Sequence, residues 1–211
     1  ARDQLLAERG KADHWTGELS ASSLSTATAV SALSLTRTHY PDVQSDLPTR
    51  EQLTELINRG ITWLADHQNQ DGGWGDTDRS YSNIATTLLV IAAFKLAEQA
   101  SQHAEQLQQA QAYVDETGIE AGLRSRYGRD KTFAIPILTN AALAGMVPWK
   151  KVSALPFELA CFPSSFYRFL HLPVVSYAIP ALVAIGQARF FHRRPWNPII
   201  WLIRRFAVGR S

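Results

Sequence analysis

Residues 59–74 read Arg-Gly-Ile-Thr-Trp-Leu-Ala-Asp-His-Gln-Asn-Gln-Asp-Gly-Gly-Trp, and the reading of this stretch decides the fold. It has the form of a helix end, a glycine turn and an aromatic lid. Upstream, Pro48 precedes Thr49-Arg-Glu-Gln52, the pattern of a capping box. In that box the hydroxyl and the amide each satisfy an otherwise unpaired backbone N–H. Leu53, Ile57, Gly60 and Leu64 then recur at helical spacing, and Leu56 and Trp63 widen the stripe. Gly72-Gly73 ends the element, because glycine enters left-handed backbone conformations at little steric cost. Gln68 donates and accepts hydrogen bonds at once. That suits it to the unpaired backbone groups of a neighbouring helix end, with Trp74 packed over its amide. In this reading the residues hold helices together and catalyse nothing.

Outward from this segment the chain reads as helix nearly throughout. Residues 20–38 are small and apolar through Leu24, Ala27, Ala29, Val30 and Leu33, which predicts a buried helix, and 39–48 is a linker rich in breakers. Ser82 or Asn83 caps a helix from Ile84 to about Ala100. Its apolar residues Ile84, Leu88, Leu89, Val90, Ile91 and Phe94 run most of the way round, as in a helix with neighbours on both sides. A Gln-rich, weakly periodic outer helix covers 103–116 and stops near Gly118. Apolar helices follow over 132–144, beginning with Phe133 and Pro136, and over 172–187. No segment shows sustained period-two alternation. Alternating exposed and buried helices predict an all-α chain of the α/α-toroid type. We divide it into a barrel region over 1–190 and a basic amphipathic segment over 191–211.

The 211 residues, 45% of them hydrophobic, sustain a core for one domain or slightly more. The single cysteine, Cys161, excludes an intrachain disulfide, and no secretory signal pattern opens the chain. The first residue is Ala1 and the only methionine is Met146, so the natural start is expected upstream. The net charge of +2 divides unevenly. Residues 1–158 hold all 19 acidic and 14 of the 21 basic residues, whereas 159–211 hold seven arginines and no acid. A basic, apolar tail beside an acidic body suits an anionic membrane surface or nucleic acid. The clustered aliphatics favour the membrane and exclude nucleic acid as the expected partner.

The spacing at 59–74 resembles the QW repeat of the squalene–hopene and oxidosqualene cyclases. There a basic residue and Gly precede an aromatic-Leu pair, a Gln and a closing Gly-x-Trp. Arg59, Gly60, Trp63, Leu64, Gln68, Gly72 and Trp74 fill those positions. Residues 144–152 and Leu155-Pro-Phe-Glu158 resemble the same family's helix end, Pro-Trp turn and Pro-Glu segment, and 175–186 its following helix. The opening His14-Trp15, Gly17-Glu18-Leu19 and Ser25-Thr-Ala-Thr28 look like the start of its bacterial members. The resemblance covers nearly the whole chain and maps to the amino-terminal part of a two-barrel enzyme. It implies proton-initiated polycyclisation of squalene or a similar linear isoprenoid. It also implies no metal or organic cofactor, and a monotopic seat on the cytoplasmic side of a membrane. A homodimer is a further assembly state to be considered.

Protonating an alkene needs an unusually strong, preorganised carboxylic acid. The family takes it from a D-x-D-D motif in its other barrel, and this sequence has none. The nearest run, Asp76-Thr77-Asp78-Arg79, carries Arg where the last Asp belongs and reads as a solvated turn or a cap. The initiating acid is therefore expected outside residues 1–211, and the chain alone is expected to be inactive. The alternative is a non-catalytic α/α module that binds a lipid or a partner helix. Cation-holding cavities need aromatic faces and apolar walls. Phe133, Ile137 and Asn140 share one face of the 132–144 helix and are the candidate cavity residues; Phe166, Tyr167, Phe169 and Tyr177 are also candidates, with burial in ordinary core the preferred reading. The six histidines show no metal-binding spacing, and a zinc site at Cys161 and His171 would need Asp where Leu159 stands. A membrane span over about 169–188 is spoiled by His171, Pro173, Pro180 and Gln187.

Asn197-Pro198 opens the last helix, with Asn as cap and Pro at the first helical position. Ile199, Ile200, Leu202, Ile203, Phe206 and Ala207 fall on one face; Trp201, Arg204 and Arg205 lie off it, and Trp196 just precedes. The pattern predicts a helix lying in a membrane interface, with Trp196, Ile199, Ile200, Leu202, Ile203 and Phe206 in contact with lipid. Trp201 fits the polar side poorly and is expected to pack on the protein. The competing reading packs the apolar face on a second barrel.

Overall fold

Helix α3, Arg50–Asp66, starts where the capping pattern puts it. The Gln52 backbone N–H donates to Thr49 Oγ1 (3.3 Å) and the Thr49 N–H donates to Gln52 Oε1 (2.8 Å). The structure, a computed structural model, describes residues 2–9, 20–39, 48–129, 132–169, 171 and 179–209. The other helices among these are α1 (Arg2–Glu8), α2 (Ser23–His39), α4 (Ile84–Leu96), α5 (Ala104–Thr117) and α6 (Ile119–Tyr127). They continue with α7 (Ala134–Leu143), α8 (Ser164–Phe169), α9 (Ile179–His192) and α10 (Pro198–Ala207), with 3-10 helices at Trp149–Lys151 and Phe157–Cys161. No strand occurs among the described residues. The all-α expectation holds.

Helix α4 is the hub. Every residue from Ile84 to Phe94 is buried, and α2, α3, α5, α6 and α7 all pack on it. Asn83 caps it, its side chain accepting from the Thr86 N–H at 3.0 Å. The helix stops at Leu96, short of the expected Ala100. Glu98 adopts a left-handed conformation (φ 62°), while the Gln99 N–H donates to Phe94 O (3.0 Å) and the Glu98 N–H to Lys95 O (3.1 Å). This is a Schellman cap without its usual glycine, so the stop is invisible in sequence.

Helices α2 and α3 approach closely at Gly60, where a Cβ would lie 2.5 Å from Val30 Cγ2. Leu53, Ile57, Ile61 and Leu64 form the buried stripe of α3, but Leu56 is exposed, as is Ala29 on α2. Each lies just off the line of contact with the neighbouring helices. Helix α6 had no expected counterpart. Helix α7 ends at a glycine Schellman cap, with Gly145 at φ 70°. The last core helix, expected over 172–187, is described from Ile179 to His192, past its expected end; 172–178 lie outside the described residues. So do His14, Trp15, Gly17, Glu18, Leu19 and Tyr177, and most of the 39–48 linker.

A second, smaller core joins Phe157, Phe190 and Ala207, with Val183, Trp201 and Val208 packed against it. Gly186 lets α9 meet the Phe157–Cys161 helix: a Cβ there would lie 2.8 Å from Phe157 Cβ. Helix α9 also touches α7, whose Ala141 and Ala142 form a further small core with Val147 and Val152.

Candidate functional site: an apolar cleft beside an amphipathic helix

The last carbonyls of α3 need partners, since no further helical turn supplies them. Helix α3 ends at Asp66, six residues before the glycines, and its end is satisfied from three directions. The Trp74 indole N–H donates to Leu64 O (2.8 Å), the Gln106 amide to Ala65 O (2.9 Å), and His67 Nδ1 meets Trp63 O at 2.7 Å. Gln68 answers across the joint, donating to Gln106 O in the first turn of α5 (2.9 Å) and to Gly72 O (2.7 Å). Gly72 is required twice over, by its φ of 82° and by the Gln109 carbonyl oxygen 2.8 Å from where a Cβ would stand. Trp74 is fully buried, Trp63 stacks on His67 at 4.0 Å, and Arg59 is exposed. Gln106 is the residue the sequence reading missed; one glutamine among several in 103–116 carries no distinguishing signal.

Asp76 is a structural anchor. Its carboxylate accepts from Thr86 Oγ1 (2.6 Å), Asn83 Nδ2 (2.9 Å) and Arg126 Nη2 (2.6 Å), while its backbone carbonyl accepts from Ser22 Oγ (2.9 Å) and the Leu24 N–H (3.4 Å). Partial burial raises its pKa, but the hydrogen bonds from Thr86 and Asn83 and the Arg126 charge outweigh this and hold it below the usual carboxylate value. Held ionised and bound on both oxygens, this group is a poor proton donor. Of the two expected roles, solvated turn or cap, Asp76 takes the second, its carbonyl accepting the Leu24 N–H at the start of α2, and it sits half-buried at a junction of α2, α4 and α6.

The three candidate cavity residues on α7 separate. Ile137 is buried in the main core, and Phe133 is exposed and stacks on Tyr127 at 5.5 Å. Asn140 is half-buried, and its Oδ1 is buried without a partner. None of them lines the apolar cleft beside Phe157, which lies elsewhere.

That cleft, about 570 Å³, opens between the Phe157–Cys161 helix, α8 and α9. Leu155, Phe157, Leu159, Phe162, Ile179 and Leu182 furnish its apolar walls, and Tyr167 and Arg168 its polar side. The Tyr167 hydroxyl donates to Leu159 O and closes α8 onto the wall. Phe166 and Phe169, expected in the core, are exposed, because α8 is a short helix lying on the surface of this platform.

Beside the cleft lies α10, capped as its sequence predicts, with Asn197 Oδ1 accepting from the Ile199 N–H (2.9 Å). Ile199, Ile200, Leu202, Ile203 and Phe206 are all exposed, and Trp196 is fully so at 102%. Trp201 and Ala207 turn inward to the small core. Arg204 also turns inward, 8% exposed, and grips Glu158 with Nε and Nη2 at 3.1–3.2 Å. Arg193, Arg194 and Arg205 remain exposed around the apolar face. Arg189 donates to Val152 O (2.6 Å), and its pKa is lowered by burial and then by the charges of Arg193 and Arg204. Among the described residues no helix is long and apolar enough to cross a membrane, and no cluster could hold a metal.

These features define an all-α chain of the α/α-toroid type with an apolar cleft. A family model described as the squalene-hopene cyclase N-terminal domain matches residues 1–185, and the chain belongs to that family. No solved structure matches it. Membership implies a squalene-type isoprenoid as the class of substrate.

Proposed function

We propose that the chain is the amino-terminal part of a squalene–hopene-type triterpene cyclase. In this reading it takes a linear isoprenoid from a membrane and offers it an apolar cleft. The observation that carries the proposal is adjacency: the cleft of about 570 Å³ opens beside a helix whose apolar face is unpartnered and flanked by exposed arginines. Burying such a face in the acyl boundary, with arginines in the headgroups, is favourable at roughly 25 cal/mol per Å² of apolar surface. Trp196, Ile199, Ile200, Leu202, Ile203 and Phe206 make this contact, as a monotopic seat on the cytoplasmic side. The 59–74 joint is read as a QW repeat, supported by the bonds of Gln68 and Trp74 across the ends of α3 and α5. Phe133 and Asn140 are kept as cavity residues toward a second barrel, a role suited to the unpartnered Asn140 Oδ1.

The cyclising acid is supplied from outside these residues, since Asp76 is held ionised and no D-x-D-D run exists in the sequence. Incubated with squalene, the 211-residue chain should give no cyclic product; detection of a pentacyclic triterpene would overturn this assignment. It should co-sediment with vesicles of anionic phospholipid, less so as salt rises. One observation favours the second reading, a non-catalytic lipid-binding module: among the described residues no acidic side chain lines the cleft. Cyclisation restored by adding a D-x-D-D-bearing barrel would exclude that reading.

A further inference from the structure

We propose that Arg204 is a latch that couples the seat of α10 on a membrane to the wall of the apolar cleft, so that docking of the helix sets the cleft's opening. The inference rests on the reading of α10 as the membrane-docking helix. Helix α10 carries two sets of side chains with different addresses. Ile199, Leu202, Ile203 and Phe206 point to solvent, whereas Trp201, Arg204 and Ala207 point to the protein.

Arg204 grips a single short segment at three places. Its Nη2 donates to Leu155 O (3.4 Å), its guanidinium stands 5.6 Å from the centre of the Phe157 ring, and Nε and Nη2 reach both oxygens of Glu158. That segment is a wall of the cleft: Leu155, Pro156, Phe157, Leu159 and Ala160 all line it. The facing wall comes from α9 through Ile179, Leu182 and Val183. Phe157 is pinned between the two, since Gly186 of α9 leaves no room even for a Cβ against it.

A guanidinium–carboxylate fork fixes distance and orientation together, unlike an apolar contact, which slides. The pair is also largely dry, with side-chain exposures of 9% for Arg204 and 20% for Glu158. Separating it would strand both charges in a poorly solvated place. Helix α10 therefore moves with the 155–160 wall or not at all. Apolar packing alone would not enforce this, because the inward face of α10 gives the small core only Trp201, Ala207 and Val208, which follows the helix.

Amide hydrogen exchange of the full chain, with and without anionic phospholipid vesicles, tests the latch in wild type and in Arg204→Met. In wild type, vesicles should slow exchange in both 198–207 and 155–161, by about tenfold or more where opening is suppressed. In Arg204→Met they should slow 198–207 alone. The charge swap Glu158→Arg with Arg204→Glu should restore coupled protection, which separates a lost ion pair from a damaged fold; α4 amides report global folding. Protection of 198–207 alone in wild type overturns the latch and leaves the membrane reading standing. If vesicles protect neither segment, the membrane reading falls, and the vesicle-free comparison judges the latch. There Arg204→Met must accelerate both segments together, and acceleration confined to 198–207 overturns it.

Discussion

Helices α4 and α10 are both rich in isoleucine, leucine and phenylalanine, yet one is the best-buried element of the molecule and the other exposes most of its apolar side chains. Helix α4 is apolar all round and is surrounded by five helices, so every residue from Ile84 to Phe94 is buried. Helix α10 is apolar on one face, and that face is turned away from the small core on which the helix packs. The difference teaches that apolar content announces a need for burial but does not name the partner. Around α4 the partner is the rest of the chain. On α10 Arg204 lies on the inward face, where Glu158 gives it a paired, hydrogen-bonded site. The isoleucines are left facing outward as a result.

Trp74→Ala should break the α4 side of the comparison most severely. It removes a fully buried indole and leaves Leu64 O without its strongest partner, and the expected loss is about 3–5 kcal/mol in urea unfolding. A loss under about 1 kcal/mol would show that the α3 joint is not part of the α4 core. Gln68→Ala is next, at about 1–2 kcal/mol, because two backbone carbonyls lose a donor. A double-mutant cycle with Gln106→Ala should give non-additive losses, since the two amides close one joint; strict additivity would separate them.

Asp76 sharpens the comparison through pH. Its folded pKa is lowered from 3.8, so the stability it contributes is present above that unfolded value and lost as pH falls through the folded one. Asp76→Asn should therefore flatten the decline of unfolding free energy in acid relative to wild type. An unchanged acid limb would mean that the Arg126, Thr86 and Asn83 bonds contribute nothing to linkage. The smallest effect on stability belongs to the Ile199→Glu, Ile203→Glu pair: within about 0.5 kcal/mol of wild type, because both side chains are exposed. The same variant should lose vesicle binding in co-sedimentation. Binding as wild type while folded would remove α10 from the membrane.

Local signals carried far in this chain. The capping box at Thr49 and Gln52, the Asn83 and Asn197 caps, the Gly118 stop after α5 and the all-round apolar pattern of α4 were legible because each depends on residues within a few positions. The α/α-type fold followed from their order. Legibility failed where a distant residue decides, or where a cap lacks its usual residue. Glu98 ends α4 in a conformation that glycine would have advertised, Gln106 is one amide among several, and Asp76 looked solvated because Arg126 lies fifty residues away.

By itself the sequence determined most of the helices, several of their caps and the amphipathic design of α10, since propensity, capping and periodicity are properties of neighbouring residues. Only the tertiary structure decided which of the apolar surfaces stayed bare. Ile137 went into the core and Ile199 did not; Asp76 became an ion-paired junction, and the cleft opened at Phe157 and Leu182 rather than along α7. The reason is that burial and charge pairing are settled between segments far apart in the chain. Residues such as Arg204 and Gly186 decide there how closely, and which way round, two elements meet.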